Sequence, residues 1–307
     1  MKFTRCLAAR SFVFFAVLFA VLFTACTPLG TSKSASKKVI FIAGRISHGA
    51  GEHEHRAGCL LLQKCLAGVP GLVTEVYTNG WPADERVLDS ADAIVIYSDG
   101  GGGHPALQAQ RLQTLDRLMK KGVGLGCIHY AVEPTKDKGQ REFLEWIGGC
   151  FEIHYSVNPH WTAEFKSLPK HPVTQGVQPF QTQDEWYFNM RFREGMKNVQ
   201  GILTAIPPQT TMNRPDGPHS GNPFVRATVS RREPVHVMWA AERNGGGRGF
   251  GFTGGHFHRG WGKDDQRKTV LNAILWIAKL KVPRQGVHSV VTPEDLQANL
   301  DPKPPRR

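Results

Sequence analysis

From about residue 38 onward, short apolar runs alternate with stretches whose apolar residues recur at helical spacing. Residues 38–43 (Lys-Val-Ile-Phe-Ile-Ala) are β-branched and aromatic and are closed by Gly44, which predicts a buried strand. Residues 56–66 carry a helical stripe, and 73–78 and 91–97 read as further strands. Pro105 opens a helix with Leu107, Leu112, Leu115, Leu118 and Met119 on one face, closed by Gly122. Residues 123–128 predict a fourth strand and 140–147 a short helix. Further on, 161–166, 199–206, 224–230, 236–241 and 248–253 read as strands, 207–223 as a loop, and 266–280 as an amphipathic helix. Beyond residue 283 the prolines predict a weakly ordered tail or one lying along the surface.

Strands alternating with helices imply an α/β domain: a mostly parallel sheet, flavodoxin-like, with helices on both faces. In such sheets the loops after the strands share one edge, and ligands bind outside the carboxyl ends of the strands. The pattern therefore supplies a location for chemistry as well as a fold.

The first residues break the pattern. Lys2, Arg5 and Arg10 precede an apolar run at 12–23, and Leu22-Phe23-Thr24-Ala25-Cys26 resembles a bacterial lipobox. The expectation is a lipoprotein signal peptide at 1–25, lipidation at Cys26, a Ser/Lys-rich tether at 26–37, a domain at 38–282 and a tail at 283–307. Because Phe23 is bulky for its position, simple cleavage and an uncleaved anchor stay open. The implied address is the periplasm or cell envelope. The formal charge of +12 falls to +9 without the three signal positives, and the remaining basic residues are scattered. That reads as a solvated surface beside an anionic membrane, not as a nucleic-acid footprint. Cys59, Cys65, Cys127 and Cys150 match no zinc-site spacing, and an export compartment would permit a disulfide without indicating one.

The predicted strand ends collect histidines. His48, His53 and His55, with Glu52, follow the first strand; His104 follows a glycine run after the third; His129 ends the fourth; His256 and His258 follow the last. Imidazole is suited to proton transfer near neutral pH and is the commonest metal ligand. In extended chain the pairs His53/His55 and His256/His258 would each share a face, which makes these four candidate ligands for a divalent metal such as zinc. Asp184 and Glu185 are adjacent, so in extended chain only one of them would enter the site. His154 and His160 could line a rim. The glycine run at 98–104 lacks the lysine and hydroxyl of a P-loop and reads better as a turn.

These stretches carry a resemblance. Ser47-His48-Gly49, Cys127-Ile128-His129-Tyr130-Ala131, Asp184-Glu185-Trp186-Tyr187 and Gly254-Gly255-His256 together resemble the ThuA-like (trehalose-utilisation) family, within the class I glutamine-amidotransferase-like fold. The resemblance implies sugar metabolism alongside oxidoreductases of disaccharides and keto-sugars. It also marks a departure: His129 stands where amidotransferases place a nucleophilic cysteine, and Cys127 falls inside the strand, so thiolate glutamine hydrolysis is not expected. The expected function is acid/base chemistry on a glycoside or keto-sugar, as isomerase, lyase or hydrolase. His129, His256, His48 and Glu185 are the catalytic candidates, and His53, Asp184, Tyr187, His258 and Trp261 would contact substrate. The competing expectation is a non-catalytic carbohydrate-binding lipoprotein that stacks sugars on Trp81, Trp161, Trp186 and Trp261.

Overall fold

The computed structural model describes residues 36–304, together with the first two. The expected signal peptide, Cys26 and nearly all of the tether lie outside the described residues. The strands, in chain order, are β1 Lys37–Ala43, β2 Leu72–Tyr77, β3 Ala93–Tyr97, β4 Gly124–Ile128, β5 Gly149–Cys150, β6 His160–Phe165, β7 Phe180–Glu185, β8 Arg191–Phe192, β9 Val199–Ala205, β10 Val235–Glu242 and β11 Arg248–Phe252. The α-helices are α1 His55–Leu66, α2 Arg111–Lys120, α3 Gln140–Trp146, α4 Pro223–Ser230, α5 Asp264–Ile277 and α6 Pro293–Gln297.

Among the described residues, seven strands form the main sheet in the order β2-β1-β3-β4-β11-β10-β9. The first five run parallel, and β10 is antiparallel to both of its neighbours. Alternation along β1 builds the two layers. Val39, Phe41 and Ala43 face the core shared with α1 and α5, while Ile40 and Ile42 face the core shared with α2 and α3. Both faces are dry, which is why the central strands read as unbroken apolar runs.

Register places the site. Ala43 pairs with Tyr97, Tyr97 with Ile128, and Ile128 with Phe252. Four strands thus end on one row, and the residues that follow (Gly44, Ser98, His129 and Thr253) leave the sheet at the same level. The antiparallel hairpin of β6 and β7 pairs His160 with Glu185 and brings that carboxylate to the same edge.

One expectation is corrected, and of the two forms open to the tail the structure has the one lying along the surface. Residues 224–230 form helix α4, because Asn222 caps it by accepting from the Val225 amide and Pro223 fits its first turn. The tail is anchored: Val287 is 3% exposed, its amide donates to Asn272, and α6 is closed by a Thr292–Asp295 capping box.

Candidate active site

Three imidazoles and a carboxylate converge above the row of strand ends. His53 Nε2 lies 3.0 Å from both His129 Nε2 and His256 Nδ1. Glu185 Oε2 lies 3.1 Å from His256 Nδ1 and 3.5 Å from His129 Nε2. One ligand atom from each of these four residues falls within 4.8 Å of the other three.

The outward nitrogens fix what the inward ones offer. His53 Nδ1 donates to Asp99 Oδ1 at 2.7 Å, and His129 Nδ1 donates to the Thr253 carbonyl at 2.8 Å. His256 Nε2 sits 3.3 Å from Glu52 Oε1, an ionic contact without hydrogen-bond alignment. A neutral imidazole has one N–H, so rings that donate outward present lone pairs inward. Lone pairs at 3.0 Å repel unless a proton or a cation lies between them. Imidazoles backed by carboxylates and carbonyls are the arrangement by which proteins orient metal-binding histidines. The donor set fits a divalent cation of the zinc type, held by His53, His129, His256 and Glu185.

The backbone is bent to achieve this. His48, His53 and His129 have φ of 58°, 45° and 57°, a region that side chains other than glycine rarely occupy. His129 takes that conformation directly after β4, at the strand-to-turn elbow. Gly255, at φ 102°, turns the chain after β11 so that the amides of Gly255, His256 and Phe257 point at Asp184, 2.7, 3.0 and 3.4 Å away.

Electrostatics follow from burial and these contacts. Burial, opposed by Asp99 and reinforced by the neighbouring rings, pushes His53 down to about 2 and keeps it neutral. Burial would raise Glu185, but the His129 and His256 rings beside it hold its carboxyl well below the usual carboxylate range. For His256 burial acts downward, and Glu185 outweighs it, so this ring is raised. Asp99 is likewise held low against burial by His53, His55 and Ser47.

A cavity of about 320 Å³ opens over the cluster, reached by Glu185, Tyr187 and the half-exposed ring of His48. His48 stacks on His53 with centroids 3.5 Å apart, and Tyr187 lies 3.3 Å from His129 Nε2 through its hydroxyl. Tyr130, Asn158, Arg214, His219 and Ser220 complete the wall, and the sequence alone singles out none of them as a site residue. Asn158 donates to Glu185 at 3.0 Å. His219 Nε2 contacts both oxygens of buried Glu133, at 2.8 and 3.0 Å. Asp99 and Glu52 also went unassigned, although both follow strands of the parallel sheet or its first loop, where the strand-end rule pointed. A second hollow, about 580 Å³, reaches Asp99 beside Arg45 and Trp81, but no imidazole lines it.

Several expected residues stand elsewhere. His55 begins α1, so the 53/55 pair is not extended; its Nδ1 contacts the Arg45 carbonyl and its Nε2 stays 3.7 Å from Asp99. His258 starts a 3₁₀ turn, which buries it away from His256 with neither ring nitrogen partnered. His104 is a buried cap for the Ala106 amide, with Nε2 on the Ala131 carbonyl. Asp184 points away from Glu185 and is spent on backbone amides. Trp261 is fully buried against Tyr97 and Phe252. Trp81, Trp161 and Trp186 are 9%, 4% and 0% exposed, so the tryptophans offer no stacking platform. His160 does reach the rim, 3.7 Å from Glu185, whereas His154 is exposed outside it. Cys127 is fully buried and burial pushes its thiol far up, which leaves it unfit as a nucleophile; the other three described cysteines are also buried and free.

The ThuA family, described as trehalose utilisation, matches residues 44–277. A crystal structure of a ThuA-like protein from Bacteroides uniformis is 17% identical with a TM-score of 0.56, covering 82% of this chain and 95% of that one. Another, from Parabacteroides merdae, is 15% identical with a TM-score of 0.53, covering 85% and 99%. At these identities the likeness is one of fold. No curated protein matches.

Proposed function

Starting from the fact that the chain belongs to the ThuA family, associated with trehalose utilisation, we propose that it is a metal-dependent enzyme acting on a hydroxyl-bearing or keto carbon of a carbohydrate. The observation that carries this reading is the convergence of His53 Nε2, His129 Nε2, His256 Nδ1 and Glu185 Oε2, with two of the three rings donating outward to oxygens. A divalent cation held there supplies Lewis-acid polarisation of a carbonyl or hydroxyl oxygen.

The chain's own residues do the rest. His129 and His256 serve as ligands in this reading, which removes them as general bases, since a ligating nitrogen has no lone pair left for a proton. Proton transfer passes to His219, whose Nε2 is anchored on Glu133 and whose Nδ1 makes no hydrogen bond among the described residues. The Glu133 contact raises His219 despite burial, so the neutral ring takes the proton from the carbon beside the ketone at Nδ1, Glu133 holds the imidazolium that forms, and the same proton returns to the enolate. Asn158 and Arg214 would bind sugar hydroxyls, and His48 would cover the substrate face of His53. A ketone acidifies its neighbouring C–H, so an oxidised glycoside delivered by a sugar oxidoreductase is the fitting substrate class. Export and a lipid anchor at Cys26 belong to the same proposal and place the reaction in the cell envelope.

The test is elemental analysis of purified protein together with a keto-glycoside screen. One equivalent of zinc or a similar ion, lost in His53→Ala, is expected, with turnover abolished by chelation. Metal-free protein that binds no divalent ion at micromolar concentration would end the reading.

A further inference from the structure

The family match stops at residue 277, yet the site does not. Beyond α5 the chain crosses back over the domain. Arg267 donates to Ser289, Lys64 pairs with Asp295, and Leu296 comes near Gly262. The segment then ends on the turn that carries Glu52 and His53.

There Lys303 is inserted. Its side chain is 1% exposed, as is that of Glu54. The ammonium donates to the Glu52 carbonyl and to the His53 carbonyl at 3.2 Å, and it pairs ionically with Glu54 Oε1 at 3.3 Å. Glu54 is tied on both sides, accepting from the Gly51 amide at 2.9 Å through Oε1 and from the Asp301 amide at 2.9 Å through Oε2. A buried ammonium held by two carbonyls and a carboxylate is a specific fixture, because any shift of the turn would strand a charge out of water. The two carbonyls it grips belong to Glu52, which faces His256, and to His53, whose ring is central to the cluster and whose backbone sits at φ 45°. A strained conformation persists only where its surroundings over-determine it.

We infer that Lys303 is a positioning residue: the C-terminal segment straps the Glu52–Glu54 turn in the geometry that lets His53 join His129, His256 and Glu185. The effect on metal affinity rests on the metal reading proposed above; the effect on the turn does not. A chain cut at the family boundary contains every strand of the main sheet and lacks the strap.

The test uses the full chain, Lys303→Met, a chain ending at Asp301 and the surface control Lys170→Met. Zinc affinity is measured by competition with a chromophoric chelator, and amide hydrogen exchange is followed over residues 50–58 without metal. The chain ending at Asp301 keeps α6 and the Asp301 amide, so it reports on the strap if Lys303→Met fails to fold. In both strap variants, amides of the turn should exchange at least about 10-fold faster, and zinc should bind about 10- to 100-fold more weakly, the range for losing an outer-shell support. Lys170→Met should match the parent. Unchanged exchange in the strap variants overturns the inference, as does faster exchange with undiminished zinc affinity. If the parent itself binds no zinc while the strap variants still loosen the turn, the metal reading fails and the strap stands as the device that holds His53.

Discussion

Among the described residues six histidines are buried, and they divide into two sets of three. His53, His129 and His256 converge, with two of them donating outward to oxygens and the third facing a carboxylate. His55, His104 and His258 are just as dry and share nothing. One meets a loop carbonyl, one caps a turn, and one has no partner at all. Burial therefore does not mark a site. What separates the sets is the direction of the second nitrogen, and that is decided by the backbone conformation beneath each ring.

The largest expected effect breaks or keeps this division directly. A zinc site is worth about 10–16 kcal/mol over four ligands, so one ligand is worth roughly 3 kcal/mol, more than about 100-fold in affinity. Glu185→Gln and His129→Ala should lose that much zinc affinity by calorimetry, while His104→Gln should bind as the parent does. Equal losses in all three would erase the distinction.

The second prediction concerns the structural set. Burial, opposed by the Ala131 carbonyl, takes His104 from 6.5 to about 4. Its folded pKa is lowered, so between about pH 6.5 and 4 the unfolded chain binds a proton that the folded one refuses. Stability from this residue is present above that window and declines as pH falls through it, by up to about 3 kcal/mol. Urea midpoints at pH 7 and pH 4.5 should fall less in His104→Gln than in the parent. Parallel declines would remove the buried neutral ring as the cause.

The smallest effect sharpens the converging set. Asp99→Asn keeps a hydrogen-bond acceptor for His53 but removes the charge, and should weaken zinc about 10- to 100-fold without unfolding the protein. Unaltered affinity would mean that Asp99 holds no orienting role.

Much of this was legible in the chain. Apolar runs mark the parallel strands, and the strand-end rule directs His48, His129 and His256 toward one cavity. Side-chain direction was less readable. His53/His55 and His256/His258 share a spacing, and extended backbone would pair each couple; a helix start at His55 and a 3₁₀ turn at His258 send the second ring inward instead. Val225, Thr228 and Val229 suggested a strand, although the Asn222–Pro223 capping signal for α4 was present beside them. Arg214 and His219 belong to an irregular excursion whose path no periodicity encodes. For the tail, a polar and proline-rich composition leaves weak order and a surface path equally open, and it cannot reveal that one lysine meets two carbonyls and a carboxylate.

Asp184 and Glu185 are neighbours at the end of β7, one roofed by the amides after β11 and the other open to the cavity. Strand side chains alternate, so sliding β7 by a single residue against β6 would turn both carboxylates to the opposite faces, taking Glu185 out of the cavity and Asp184 off the amides. The parity of that hairpin is thus a condition on the pocket: an odd slip would undo it while leaving every residue type in place.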